Sequence, residues 1–325
     1  MALILNRQQI QETVASIDIV NRIEEGFRIY SEGRTVVPPV GEMVFKDPPG
    51  ETHIKYGFIK GDDDYVIKIA SGFYQNPKLD LPSSQGLMLL FCQKTGQLKG
   101  ILQDNGLLTD IRTAAAGAVV AKYMAPRDVK AIGIIGAGIQ AKLQVKYLDG
   151  IIQSNEIIVW TPNQKEIPSY LEFFKESRYQ IRQAQSISEL AAQANLIVTT
   201  TPSRVPLLQN TDIRPGTHIT AVGSDTGEKT ELAPEILEMA DIIVSDSIDQ
   251  SHSRGEIFKA SAAYPAIRDR VLELGTGICR PVQIRKNERQ ITVADLTGVA
   301  IQDIQIAKAV YYKTIKGDTD EYQNI

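Results

Sequence analysis

Cysteine, histidine and tryptophan are scarce in this 325-residue sequence, which holds two, three and one of them. Cys92 and Cys279 lie far apart and outside any CxxC or Cys/His cluster. A disulfide framework is therefore not expected, and both thiols read as small buried hydrophobes in a reducing compartment. His53, His218 and His252 lack metal-ligand spacing, which argues against a zinc site. No stretch reaches the roughly 18 apolar residues of a membrane span. The short apolar run Ala2 to Leu5 gives way at once to Asn6-Arg7-Gln8-Gln9, unlike a secretory signal, so a cytoplasmic location is expected. A surplus of positive charge is also missing. The net charge is -4, which gives no basic footprint for nucleic acid and no polybasic patch for a membrane.

What is present is ordinary globular material, 43% hydrophobic and 23% charged, in a chain long enough for two domains. Residues 9–31 carry an apolar stripe (Val14, Ile17, Ile19, Val20, Ile23, Phe27, Tyr30) that predicts one helix. After the breaker at 33–39, segments 43–45, 52–59 and 65–69 read as strands of an antiparallel sheet, and 87–93 with 98–103 as a further strand pair. An alanine-rich helix is expected over 107–124. Beyond Ala125-Pro126 the pattern becomes strand-helix-strand, with apolar strands at 131–135, 156–160, 196–200, 218–222 and 241–245 and a helix near 165–176. That alternation predicts a doubly wound parallel sheet with helices on both faces. The fold class is thus α/β: a Rossmann-type doubly wound domain over 126–302, preceded by an α+β domain over 1–125. A terminal helix from Asp303 (303–325) would return to the first domain.

Gly136-x-Gly138-x-x-Ala141 follows a buried strand and opens a helix. The first glycine permits the tight turn, the second lets a pyrophosphate approach the backbone, and the small Ala141 allows close helix–strand packing. Free N–H groups and the positive helix end then suit phosphates, so a dinucleotide is expected here. The next strand ends Val159-Trp160-Thr161-Pro162-Asn163-Gln164-Lys165, without an acid to bond a free ribose 2′-OH. Thr161, Asn163 and Lys165 suit a 2′-phosphate instead. The cofactor is therefore expected to be NAD(P)(H) with NADP(H) preferred, the alternative being a solvated loop.

Several blocks in order resemble the ornithine cyclodeaminase and mu-crystallin family. They are Leu108-Thr109-Asp110-Ile111-Arg112-Thr113-Ala114-Ala115-Ala116, Ile134-Ile135-Gly136-Ala137-Gly138-Ile139-Gln140-Ala141, Val198-Thr199-Thr200-Thr201-Pro202-Ser203, Ala221-Val222-Gly223-Ser224-Asp225 and Thr297-Gly298-Val299-Ala300-Ile301-Gln302-Asp303. The resemblance implies hydride transfer between a nicotinamide and the alpha carbon of an amino acid or its imine. It also implies that the N-terminal domain, 1–125, binds substrate and builds a homodimer. It assigns to the cofactor Thr113, Gly136, Ala137, Gly138, Ile139, Gln140, Thr200, Thr201, Val222 and Gly298, beside Thr161, Asn163 and Lys165.

Lys68 matches the family's active-site lysine, able to bind a carboxylate or polarise a C=N group. Arg112 matches the arginine that grips the substrate carboxylate, the alternative being a structural pair with Asp110 or Asp104. Asp225 falls where cyclodeaminases and alanine dehydrogenases have a proton-handling acid, the alternative being an Asx turn before Gly227. Two departures bear on substrate. Val40 stands in or beside the place of a cyclodeaminase arginine, and Lys55 stands in the place of a glutamate suited to a cationic diamine. If Lys55 faces the site, ornithine is disfavoured and an anionic group favoured. The reading is an oxidoreductase of an amino acid, 2-oxo acid with amine, or cyclic imine. Cyclodeamination with internally recycled cofactor and a non-catalytic NADP(H)-binding, crystallin-like role are the alternatives.

Overall fold

The computed structural model describes residues 2–73, 75–281 and 284–322. Its chain divides into two compact units, Met1–Arg112 with Val299–Ile325, and Thr113–Gly298.

In the first unit, Asn6 ends strand β1 (Leu3–Asn6) and caps helix α1 (Arg7–Val14). Its side chain accepts from Gln9 N at 3.0 Å, while the Gln9 side chain accepts from Asn6 N at 3.0 Å, a reciprocal capping box. Asp18 then caps a second helix, α2 (Ile19–Ser31), by accepting from Asn21 N at 3.1 Å. The single helix expected over 9–31 is therefore two. The apolar period runs through Val14, Ile17 and Ile19 without losing phase, so periodicity alone concealed a break that a capping aspartate makes.

Strands β2 (Thr35–Val36), β3 (Gly41–Lys46), β4 (Pro49–Ile59), β5 (Asp64–Gly72), β6 (Ser84–Cys92) and β7 (Leu98–Gln103) join β1 in one seven-stranded sheet. The order is β1-β7-β6-β5-β4-β2, with β3 also paired to β4. The expected strand groups are thus continuous, and the sheet is mixed rather than wholly antiparallel because β1 runs parallel to β7. Burial alternates along β5, where Val66 and Lys68 are buried while Tyr65, Ile67 and Ile69 are half-buried. Register pairs Lys55 with Lys68, Lys68 with Met88 and Met88 with Leu102, so these four side chains share one face. Helix α11 (Ala300–Tyr322) packs against β4, β5, β6 and α2, burying Ile301, Ile304, Ala307 and Val310. The division between the units falls inside helix α3 (Leu107–Met124), whose small residues Ala114, Ala115 and Ala118 are fully buried.

The second unit alternates β8 (Ile132–Ile135), α4 (Ile139–Leu148), β9 (Glu156–Trp160), α5 (Ile167–Phe173), β10 (Gln180–Gln183), α6 (Ile187–Gln193), β11 (Leu196–Thr199) and β12 (His218–Ala221). Then come α7 (Pro234–Met239), β13 (Ile242–Ser245), α8 (Ile248–Ser251), α9 (Gly255–Ala263), β14 (Val271–Glu273), α10 (Leu274–Cys279) and β15 (Thr292–Asp295). All eight strands are parallel, in the order β10-β9-β8-β11-β12-β15-β13-β14. Strand order reverses between β8 and β11, and such a switch point opens a crevice at the carboxyl ends of the strands. Buried Ile135, Ile197, Ile219 and Val293 form the sheet's core, each contributing about 1.5–3 kcal/mol by removal from water.

Neither cysteine is the buried hydrophobe expected. Both are free thiols, Cys92 half-buried and Cys279 exposed. Among the described residues, no helix is long and apolar enough to cross a membrane, and no group of His, Cys, Asp or Glu could hold a metal ion.

Candidate functional site

The turn after β8 separates its two glycines by role. Gly136 has φ +115°, and a Cβ there would lie 2.5 Å from Thr200 Oγ1, so backbone and space both demand glycine. Gly138 has an ordinary φ of -73°, and a Cβ there would meet nothing within 4 Å. Internal packing gives no reason for glycine at 138. It caps α4 without any side-chain hydrogen bond to the first turn. An open approach to an uncapped helix start is what a pyrophosphate requires, so these residues fit the dinucleotide. Ala137 is buried and Ile139 half-exposed beside the turn, and Gln140 lies in the first turn of α4. Thr113, on α3, accepts through its carbonyl from Gln144 of α4 at 3.2 Å.

The carboxyl edge of the sheet is held by buried acids that sequence reasoning missed. Glu231 accepts from Thr199 Oγ1 (2.7 Å), Thr201 N (2.5 Å), Thr201 Oγ1 (2.8 Å) and Gly223 N (2.9 Å). It thereby ties the loop after β11, with Thr200 and Thr201, to the loop after β12, with Val222 and Asp225. Burial raises its carboxyl to about 8, and the neighbouring Glu256 adds to the shift. Glu256 in turn accepts from Glu231 N at 2.7 Å and Thr230 Oγ1 at 2.9 Å. Asp246, at the end of β13, accepts from Gly298 N at 2.7 Å and fixes the turn after β15. Asp225 pairs with Lys229 at 2.7 Å, and Ser224 Oγ donates to the Lys229 carbonyl at 2.8 Å, so Lys229 closes this loop. Thr161 is buried at the end of β9, whereas Asn163 and Lys165 are exposed.

The first unit holds the other group of predicted residues. Lys68 (2% exposed) and Arg112 (6%) flank Asp303 (1%), from the first turn of α11. Lys68 Nζ lies 3.4 Å from Asp303 Oδ2, and Arg112 Nε lies 3.2 Å from Asp303 Oδ1. Arg112 Nη1 donates to Gln302 Oε1 at 2.6 Å. The structural partner of Arg112 is therefore Asp303 rather than the Asp110 or Asp104 considered above. Asp104 instead caps α3, accepting from Leu108 N at 2.7 Å. Burial pulls Lys68 down from 10.5 to about 8; Arg112 pushes the same way and Asp303 holds against both. Lys55, 5% exposed, stands directly across from Lys68 on the same face. The structure thus gathers Lys55, Lys68 and Arg112, and adds Asp303, which lay inside a quoted motif with no role given to it.

The two glycines should separate in experiment. Gly138→Val should leave the melting temperature within a few degrees of the parent and abolish NADH binding, because the branched side chain enters the phosphate approach. Gly136→Ala should instead lose stability by at least about 1 kcal/mol, from a positive φ combined with a clash. Unchanged NADH affinity in Gly138→Val, read by fluorescence titration, would contradict the phosphate-turn assignment.

The fold has close counterparts. The model of the ornithine cyclodeaminase/mu-crystallin family matches residues 1–318. The chain is 36% identical over 314 residues to an uncharacterized cyclodeaminase of Sinorhizobium fredii, covering 95% of each chain. It is 35% identical over 271 residues to the iminosuccinate reductase of Paracoccus denitrificans, covering 82% of this chain and 83% of that one. Among solved structures, an archaeal alanine dehydrogenase dimer with bound NAD superposes with a TM-score of 0.89 at 29% identity, over 98% of this chain and 97% of that one. The relatives are dehydrogenases, imine reductases and cyclodeaminases, and this chain belongs to the ornithine cyclodeaminase/mu-crystallin family.

Proposed function

We propose that this protein is an NAD(P)-dependent oxidoreductase acting at the alpha carbon of an amino acid or its 2-imino acid, with an anionic imine as the preferred substrate. One observation carries the reading: two buried cations, Lys68 and Arg112, flank the buried carboxylate of Asp303, with Lys55 in register beside Lys68. Buried cations have little water to satisfy them, and a substrate carboxylate would add an anion beside Lys68 and Arg112. Arg112 offers the planar fork that binds a carboxylate in two places. Lys68, held near 8, stays protonated at neutral pH yet can give up its proton, which suits a group that polarises and protonates an imine. A bound nicotinamide supplies the hydride. Asp225, held by Lys229, is the proposed proton-handling group on the dinucleotide-binding unit, and Met1–Arg112 with Val299–Ile325 the substrate-binding unit.

Lys55 sets the substrate class. An ammonium on the Lys68 face repels the terminal ammonium of ornithine or lysine and favours a second carboxylate, as in an imine of a dicarboxylic 2-oxo acid. The likeness to an iminosuccinate reductase supports this reading. Cyclodeamination is the second reading, favoured by an acid at Asp225 and by the Sinorhizobium relative. The free, unbridged thiols support a cytoplasmic setting.

A substrate panel tests the reading. NAD(P)H oxidation should proceed with ammonia plus dicarboxylic 2-oxo acids or with cyclic imines, and ornithine should release little ammonia. Lys55→Glu should lower kcat/KM for the dicarboxylic imine by about tenfold or more, the scale of a charge reversal at a binding site. Efficient ammonia release from ornithine, with no imine reduced, would make cyclodeaminase the correct reading. Cofactor binding without turnover of any substrate would favour the non-catalytic role.

We further propose a homodimer formed through the sheet face opposite Lys68. Ile54, Phe58, Ile67, Ile69, Leu87 and Leu89 are only half-buried there, and Ile4 is 56% exposed. An apolar face of this extent suits a second copy of the chain. Light scattering should give twice the chain mass, and Ile67→Glu should yield monomer. A parent protein that is monomeric at micromolar concentration would refute the assembly.

A further inference from the structure

The carboxylate of Glu166 occupies the ground that the sequence reserved for a 2′-phosphate. After β9 the chain enters a short 3-10 turn, Gln164–Glu166, before α5. Glu166 N donates to the Asn163 carbonyl at 3.0 Å, and this turn folds the Glu166 side chain back toward the strand end. Thr161 Oγ1 then donates to Glu166 Oε2 at 3.2 Å, and Asn163 Nδ2 donates to Glu166 Oε1 at 3.1 Å. Thr161 Oγ1 also accepts from Asn163 N at 3.2 Å, which fixes the hydroxyl proton toward Glu166. Two of the three residues expected to welcome a phosphate thus direct their donors to an internal acid, and the third, Lys165, is exposed.

We infer that Glu166 reads the adenosine ribose and makes this chain selective for NAD(H) over NADP(H). The inference rests on the dinucleotide reading above and reverses the expectation drawn from Thr161, Asn163 and Lys165. In a sheet of this topology the adenosine ribose lies beyond the second strand, where an acid customarily accepts from its 2′-OH. β9 is that strand here: it pairs with β8, and Gly136 N donates to the Trp160 carbonyl at 2.8 Å. Each Glu166 oxygen accepts one bond from Thr161 or Asn163 and keeps a second lone pair for a ribose hydroxyl. A 2′-phosphate would bring a dianion against that carboxylate and find the Thr161 and Asn163 donors engaged. Attraction to the free ribose and repulsion of its phosphate then act in the same direction.

Trp160, the one tryptophan, lies next to this loop and gives a binding signal that needs no turnover. Energy transfer from Trp160 to bound reduced cofactor would be titrated with NADH and with NADPH, for the parent, Glu166→Gln and Lys165→Ala. The parent should bind NADH at least about tenfold more tightly than NADPH, the effect of one misplaced charge pair. Glu166→Gln keeps the shape and should collapse that ratio, mostly by tightening NADPH. Lys165→Ala should leave it within about twofold. Equal or tighter NADPH binding by the parent would overturn the inference alone, as would an unchanged ratio in Glu166→Gln or a loss of NADPH binding specific to Lys165→Ala. Failure to bind either nucleotide would overturn the dinucleotide reading, and this inference with it.

Discussion

Asp303 has almost no surface in water, and burying a carboxylate is costly unless cations stand beside it. Lys68 and Arg112 provide them, and each is in turn too buried to be solvated well without Asp303. Removing one member of such a buried group typically costs about 3–5 kcal/mol, because the remaining charges lose their partner. This mutual dependence fixes the register of three elements at once: β5 through Lys68, α3 through Arg112 and α11 through Asp303. A cluster built this way holds each of its members in place through the others.

The second unit, Thr113–Gly298, uses the same device with acids as the hubs. Glu231 and Asp246 gather N–H and O–H donors from the loops after β11, β12 and β15, so the ends of separate strands are locked by acids rather than by apolar packing. Loops at a switch point must present backbone to a ligand and cannot bury large side chains there. Short buried hydrogen bonds provide rigidity in place of volume. The price is desolvation, visible in carboxyls pushed up to about 8.

Much of this was legible in the sequence because it is written in period and in short motifs. The β8 turn, the parallel strands and the alternating burial of β4 and β5 all follow local rules. The break before Asp18 was hidden because a capping residue left the apolar phase intact. Residues acting across long sequence separations were harder to see. Asp303 is far from Lys68 in the chain, and its motif gave it no role until α11 packed on β5. Glu231 lies outside every quoted block, and only the parallel register of β11 and β12 brings its four donors together. Glu166 is harder to read because it lies one residue beyond Lys165, outside the strand end where an acid is expected. A 3-10 turn brings its side chain back to Thr161 and Asn163.

The buried charge cluster is the centre of the account, and the protonation state of Lys68 reports on it most directly. Nitrogen-detected NMR of lysine-labelled protein, with the Lys68 signal assigned through a Lys68→Arg variant, gives its titration midpoint. The midpoint is expected near 8, well below the usual 10.5. A lower midpoint is expected in Asp303→Asn, because the carboxylate that favours the ammonium is gone while burial and Arg112 still oppose it. A Lys68 that titrates near 10.5, or one that Asp303→Asn leaves unmoved, would contradict these expectations.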